Sequence, residues 1–151
     1  MLLKNEIERK FLVLNTVYKN LYTSKEKITQ AYLSKDPERS VRIRMNDKKG
    51  WITIKGGSSY KGLSRMEWES EIPLPVAKKL LKICLPKTIV KIRFKIPLNN
   101  DLTIEVDEFL GYNKGLILAE IELPSKNRTF KKPDWLGKEV TGIKKFYNSM
   151  M

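Results

Sequence analysis

Carboxylates two residues apart stand on four alternating stretches of this chain: Glu6 and Glu8, Glu67 and Glu69, Glu105 and Asp107, Glu120 and Glu122. Together they make up eight of the 17 acidic residues. Four of the seven arginines, Arg42, Arg44, Arg65 and Arg93, fall in similar alternating runs with Lys10, Lys55 and Lys91. In an extended backbone, residues i and i+2 point to one side. Each E-x-E pair therefore offers two adjacent oxygen donors, a simple way to hold a hard divalent ion such as Mg²⁺ or Mn²⁺. Arginine gives the fixed, bidentate grip that phosphate oxygens take, and lysine does not replace it at such a site. Metal-assisted chemistry on a phosphorylated anion is what these residues suit.

The residues that are missing narrow the chemistry further. The chain has no histidine, which removes Ser-His-Asp triads, Cys-His dyads, phosphohistidine chemistry and His-ligated zinc or iron. Its single cysteine, Cys84, lies in an amphipathic stretch and reads as a small buried hydrophobe. The formal net charge of +13 calls for an anionic partner, although the excess is scattered as lysine doublets along the chain. No signal-peptide pattern opens the sequence and no segment reaches the ~20 apolar residues of a membrane span, so a cytoplasmic protein without membrane contact is expected.

The elements that must position these groups are short. Turn signals at Asn46-Asp47, Gly56 to Ser59, Pro73 to Pro75, Asn99 to Asp101 and Gly111 to Gly115 cut the chain into pieces with period-two alternation. Strands are predicted at 4–13, 27–34, 39–46, 51–56, 63–72, 88–97, 102–109 and 116–123, with helices at 16–22, 75–84 and 134–150. At 151 residues, with no linker and no repeat, the whole of 1–151 is expected to form one domain. The class is mainly β: an eight-stranded antiparallel barrel with a few covering helices.

One face of nearly every strand is apolar and the other charged. An ordinary solvated face would mix Thr, Ser, Gln and Lys, because Asp and Glu are depleted in strands. The alternative puts the charges in the lumen of a closed barrel, where eight strands leave room for one small ligand. Both signs of charge inside an empty lumen would be costly. They become reasonable when carboxylates hold a metal and Arg/Lys neutralise phosphate.

These motifs, taken in order, resemble a known family. Glu6-Ile7-Glu8-Arg9-Lys10 is similar to the E-x-E-x-K opening of the CYTH superfamily, the triphosphate tunnel metalloenzymes. There follow R-x-R (Arg42, Arg44), T-x-K-G (Thr53, Lys55, Gly56), R-x-E-x-E (Arg65, Glu67, Glu69), K-x-R (Lys91, Arg93), E-x-D (Glu105, Asp107) and A-E-I-E-L (Ala119 to Leu123). The tail from Trp135 to Ser149 resembles the family's C-terminus, with Gly142-Ile143-Lys144-Lys145 where G-D-P-R is usual.

The resemblance implies an eight-stranded tunnel acting on triphosphates, most like the compact bacterial inorganic triphosphatases. It implies Glu6, Glu8, Glu120 and Glu122 as metal ligands, with Glu67 or Glu69 completing a second metal site. Lys10, Arg42, Arg44, Lys55, Arg65, Lys91 and Arg93 would bind phosphates. Glu67, Glu69 and Lys10 would stand nearest the chemistry, and Glu105 and Asp107 would complete the lumen network. The cofactor would be Mg²⁺ or Mn²⁺, and the reaction tripolyphosphate to phosphate and pyrophosphate.

Other readings share the scaffold: a class IV adenylyl cyclase, a thiamine triphosphatase, or a non-catalytic module that binds polyphosphate or RNA. A cyclase needs a nucleobase pocket, and none is recognisable. A nucleic-acid surface interleaves aromatics with basic residues, which Trp51, Tyr60 and Trp68 do not do. The partner expected is a small triphosphate rather than nucleic acid. The apolar outer faces leave a homodimer open.

Overall fold

A computed structural model describes residues 3–59, 62–99 and 101–151; Tyr60 of the aromatic set and Asn100 of the predicted turn lie outside the described residues. Among the described residues nine strands form: β1 (Leu3–Val13), β2 (Ser24–Ser34), β3 (Arg39–Met45), β4 (Gly50–Ser58), β5 (Ser64–Ile72), β6 (Ile89–Leu98), β7 (Leu102–Phe109), β8 (Ile117–Glu122) and β9 (Leu136–Glu139). A single helix, α1 (Leu74–Lys82), separates β5 from β6. Every strand pair is antiparallel. The order β5-β4-β3-β2-β6-β7-β8-β1, closed by a β5–β1 pairing, makes the predicted ring of eight.

β1 closes the ring through its N-terminal half alone. Leu3 to Ile7 pair with Trp68 to Ser64 of β5, and the contact ends where the Glu8 amide donates to the Leu63 carbonyl at 3.2 Å. Beyond that point one edge of β1 is free, and β9 fills it: Phe11 pairs with Glu139 and Val13 with Leu136. This corrects the helix expected over 134–150. Its β-branched Val140 and Thr141, and Gly142 at φ 76°, suit an edge strand and a left-handed turn better than a helix. Two short 3₁₀ turns, Lys144–Phe146 and Asn148–Met150, complete the tail.

The helix expected at 16–22 is likewise one 3₁₀ turn, Val17–Asn20, held by the fully buried Tyr18 and its hydroxyl bond to Glu108. The few covering helices are thus one α-helix and short turns among the described residues. α1 lies so close to β4 that a Cβ on Gly50 would collide with Ala77.

The outward faces of β1, β6, β7 and β8 carry the main apolar core. Ile96, Ile104, Val106 and Ile121 are covered by Tyr18 and by Trp135 and Phe130 of the segment leading to β9. A second, smaller cluster sits inside the ring at one end, where Tyr32, Ile89, Phe109 and Leu118 meet Val140, Phe146 and Met151 of the tail. That end of the lumen is therefore plugged by apolar side chains. The opposite end, at the N-terminus of β1 and the C-terminus of β8, is the mouth.

Candidate active site

Strand register carries the charged residues around the lumen. Lys10 stands opposite Glu120, Glu120 opposite Glu105, and Asp107 opposite Arg93. Across the other half, Arg42 faces Thr53, Lys55 faces Glu67, and Glu6 faces Arg65. A chamber of about 70 Å³ opens between them, lined by Glu6, Glu8, Lys10, Arg42, Lys55, Arg65, Lys91, Arg93 and Glu120. The tail reaches the same space: Thr141, Gly142, Tyr147, Asn148 and Ser149 line it, although the chain lacks the usual acid there. Gly62 is required at this floor, since a side chain would strike Gly142 and the Tyr147 hydroxyl.

The basic wall is tightly tied. Arg93 forms a fork on Asp107, Nε to Oδ1 at 2.8 Å and Nη2 to Oδ2 at 2.9 Å. Lys91 Nζ lies 2.8 Å from Asp107 Oδ2 and donates to Asn148 Oδ1 at 2.9 Å. Burial pushes Asp107 up, but Arg93 and Lys91 outweigh it and hold its carboxyl at about 2. Lys91 goes the other way: burial lowers it to about 8, against the pull of Asp107. Arg44, stacked over Trp51 at 5.5 Å, is lowered to about 10 by burial and by the neighbouring Arg42 and Arg93. Arg42 donates to Thr53 at 3.2 Å and leaves its buried Nε without a partner, the sort of donor an anion would satisfy.

The acidic wall is crowded instead. Glu6 hydrogen-bonds Glu67, and Glu8 hydrogen-bonds Glu120, each bond joining two carboxyl groups. Two carboxylates this close share a proton. Burial and the charges of Glu120 and Glu6 raise Glu8 well above the carboxylate range. Glu120 is held well below it because Lys10 and Arg93 overcome the effect of burial. Burial, then the bond from Glu6, moves Glu67 up to about 7. Lys55 Nζ sits 2.7 Å from Glu6 and 3.4 Å from Glu67.

Not every predicted residue joins this chamber. Glu69 accepts from Thr53 Oγ1 at 2.6 Å and lies 3.5 Å from Arg44 and 3.7 Å from Arg42, within the basic wall and apart from Glu6 and Glu67. Glu105 meets Arg93 Nη1 at 3.5 Å. Glu122 is at the mouth, its side chain 53% exposed and bound to Lys4. Among the described residues no three carboxylates converge as they stand to hold a metal ion. The donor set still fits a hard divalent cation, because it is oxygen-only and its buried carboxyls outnumber the lysines that meet them: Glu6 and Glu67 share Lys55, and Glu8 has no ion pair among the described residues.

Sequence reasoning overlooked Lys4, Gln30, Ser40, Thr141 and Asn148. Lys4 shares the period of Glu6 and Glu8 and was readable; the others carry no charge and take their place from strand pairing or the tail.

With this geometry established, residues 4–147 match the family model described as the CYTH domain. The chain belongs to the CYTH family. It is 47% identical over 145 residues to an inorganic triphosphatase of Acetivibrio thermocellus, covering 95% of this chain and 90% of that one. An inorganic triphosphatase of Nitrosomonas europaea is 31% identical over 149 residues, with 97% and 95% covered. A crystal structure of an inorganic triphosphatase superposes with a TM-score of 0.65 at 27% identity, covering 96% of this chain and 92% of that chain. The CYTH resemblance drawn from the ordered motifs thus holds over nearly the whole chain. No helix among the described residues is long and apolar enough to cross a membrane.

Proposed function

We propose that this CYTH protein hydrolyses inorganic tripolyphosphate to phosphate and pyrophosphate, with Mg²⁺ or Mn²⁺ as cofactor. The observation that carries the reading is the two-walled chamber: six Lys and Arg side chains face three carboxylates in one space, beside a lumen end plugged by apolar groups. Lys10, Arg42, Lys55, Arg65, Lys91 and Arg93 neutralise and fix the polyanion so that water can approach its terminal phosphorus. Glu6, Glu8, Glu120 and Glu122 are the residues that would hold metal. Bound there, a divalent ion supplies Lewis-acid charge to the phosphate oxygens.

Between the two candidates for the second carboxylate role, Glu67 is favoured over Glu69. Glu67 lies beside Glu6 and titrates at about 7, where a carboxyl both accepts and releases a proton at neutral pH. Glu69 is already engaged by Thr53 and two arginines. As the anhydride P–O bond breaks and the water oxygen bonds to phosphorus, Glu67 takes the water's proton and pyrophosphate leaves. A cytoplasmic setting fits the one free cysteine. A homodimer would use the exposed Leu3, Ile54 and Met66 on the outer faces of β1, β4 and β5; sedimentation velocity reads it.

The test is release of phosphate and pyrophosphate from tripolyphosphate, ATP and thiamine triphosphate, with Mg²⁺, with Mn²⁺ and with chelator. Metal-dependent turnover that favours tripolyphosphate is expected. Cyclic AMP from ATP, or binding of polyphosphate without turnover on any substrate, would overturn the reading.

A further inference from the structure

A lysine stands one strand step ahead of the Glu6–Glu8 pair, and the alternation of β1 turns it to the same face. Lys4 lies opposite Glu67 across the β1–β5 ladder, while Glu8 lies opposite Glu122 across the β1–β8 ladder. From there the Lys4 ammonium reaches carboxylates on both flanking strands. Its Nζ is 2.8 Å from Glu122 Oε1 and 3.7 Å from Glu67 Oε1. Lys55 does the same one layer deeper, between Glu6 and Glu67.

The two lysines differ in what else they can do. Lys55 is buried against the chamber and available to a phosphate there. Lys4 lines no part of the chamber, its side chain is 46% exposed, and its ion pairs among the described residues are with Glu67 and Glu122 alone. Its four-carbon stem lets the ammonium leave for solvent at little cost. A cation seated on Glu122, one of the carboxylates proposed to hold the metal, and beside Glu67, the proposed proton acceptor, has a direct effect on that metal. It fills part of their charge deficit and repels any ion that approaches them.

We infer that Lys4 is a tethered competitor of the divalent ion: its ammonium occupies the position between Glu67 and Glu122 and must swing out before the ion is held. The inference rests on the metal-binding part of the function proposed above. It also accounts for the lack of three converging carboxylates among the described residues, since the side chains are gathered around lysines rather than around a common centre. In consequence, Lys4 sets how tightly the substrate-free protein holds its cation.

The experiment is a calorimetric titration of Mn²⁺ alone into the full chain, without substrate, at fixed ionic strength. Lys4→Met should tighten Mn²⁺ binding by about 3- to 10-fold, the effect of removing a unit charge roughly 6–12 Å from a divalent ion, where the displaced ammonium would sit, under nearly water-like screening. Lys4→Arg, which keeps the charge, should retain the wild-type affinity, and added salt should shrink the gap between Met and wild type. Unchanged or weaker binding in Lys4→Met overturns the inference, as does Mn²⁺ binding to neither protein. Tripolyphosphate turnover by the wild type, measured alongside, separates the two failures. An active wild type whose Lys4→Met variant binds no tighter sinks this inference alone, whereas an inactive wild type sinks the proposed function.

Discussion

The two walls of the lumen are built from the same kind of strand and the same period of two, yet they are in opposite electrostatic condition. On the basic wall the deepest charges are paired at good geometry, Arg93 and Lys91 sharing Asp107, while Arg44 and Arg42 reach Glu69 at longer range and Arg42 keeps one free donor. On the acidic wall buried carboxyls are pressed against one another, Glu6 on Glu67 and Glu8 on Glu120. The first arrangement is satisfied by the protein itself and serves as a preorganised anion cradle. The second is only partly satisfied by Lys4, Lys10 and Lys55, and protons or cations from outside complete it. Substitutions should therefore move stability and function alike on one wall and oppositely on the other.

The largest effect should come from breaking the Arg93–Asp107 fork. Arg93→Met leaves the buried Asp107 with Lys91 alone as its ion-pair partner, which costs about 3 kcal/mol of folding stability and also removes a phosphate contact. Denaturant unfolding should report the loss, and Arg93→Met combined with Asp107→Asn, which keeps an acceptor for Lys91, should regain part of it without regaining activity. A double variant as unstable as the single one would show that the fork is not what organises this wall.

The acidic wall should answer with the opposite sign. Glu8 has a folded pKa raised above its ordinary value, so stability associated with its protonated form is lost as pH rises through that folded value. Glu8→Gln mimics the protonated form and should raise Tm at pH 8 by about 2–4 °C. Metal-dependent turnover should fall at least ~100-fold in the same protein, as when a preorganised charge is removed from a reaction centre. Loss of both stability and turnover would erase the distinction between the walls.

Period-two alternation was enough to read the ring and the charged face, because a residue's side of a strand is a local property. Seven strands were located to within about two residues at each end, and β2 was cut short because Ser24, Lys25 and Glu26 carry no apolar residue to show the alternation. The tail was misread because its fate depends on a distant event, the departure of β5 from β1 at Leu63, which leaves an edge for Leu136–Glu139 to fill. The same limit hid the floor of the chamber. Thr141 and Asn148 reach the lumen only after β9 has docked, and nothing in their local sequence marks them as lining residues. Pairing state was not legible either: E-x-E announces two carboxylates but not that Glu69 turns to Arg44 while Glu67 turns to Glu6.

A smaller effect tests the electrostatics of the basic wall by titration. Lys91 has its folded value lowered to about 8, below the unfolded value, so folding stability rises with pH between about 8 and the ordinary lysine range. Activity should move the other way, since a neutral Lys91 no longer attracts phosphate. The KM for tripolyphosphate is expected to climb above pH 8 with kcat nearly constant. Lys91→Arg should abolish that limb of the profile, because guanidinium stays charged throughout. A KM flat to pH 10 in the wild type would place the titrating group elsewhere.

The smallest effect belongs to Asn148, where the two walls meet the tail. Its Oδ1 accepts from Gln30 Nε2 at 3.1 Å and from Lys91 Nζ at 2.9 Å. Gln30 is fully buried and its Oε1 already has no partner, so Asn148→Ala would leave both ends of that amide unsatisfied. The stability lost should be about 1–2 kcal/mol, the penalty for a buried polar group deprived of its partner. Removing an acceptor also withdraws support from the charged form of Lys91, so the alkaline rise in KM should begin at lower pH than in the wild type. Asn148→Asp makes the converse case: a carboxylate in the same place strengthens the hold on the ammonium and should carry the rise to higher pH. If both variants leave the onset where it was, the tail closes the chamber without tuning the cation that faces it.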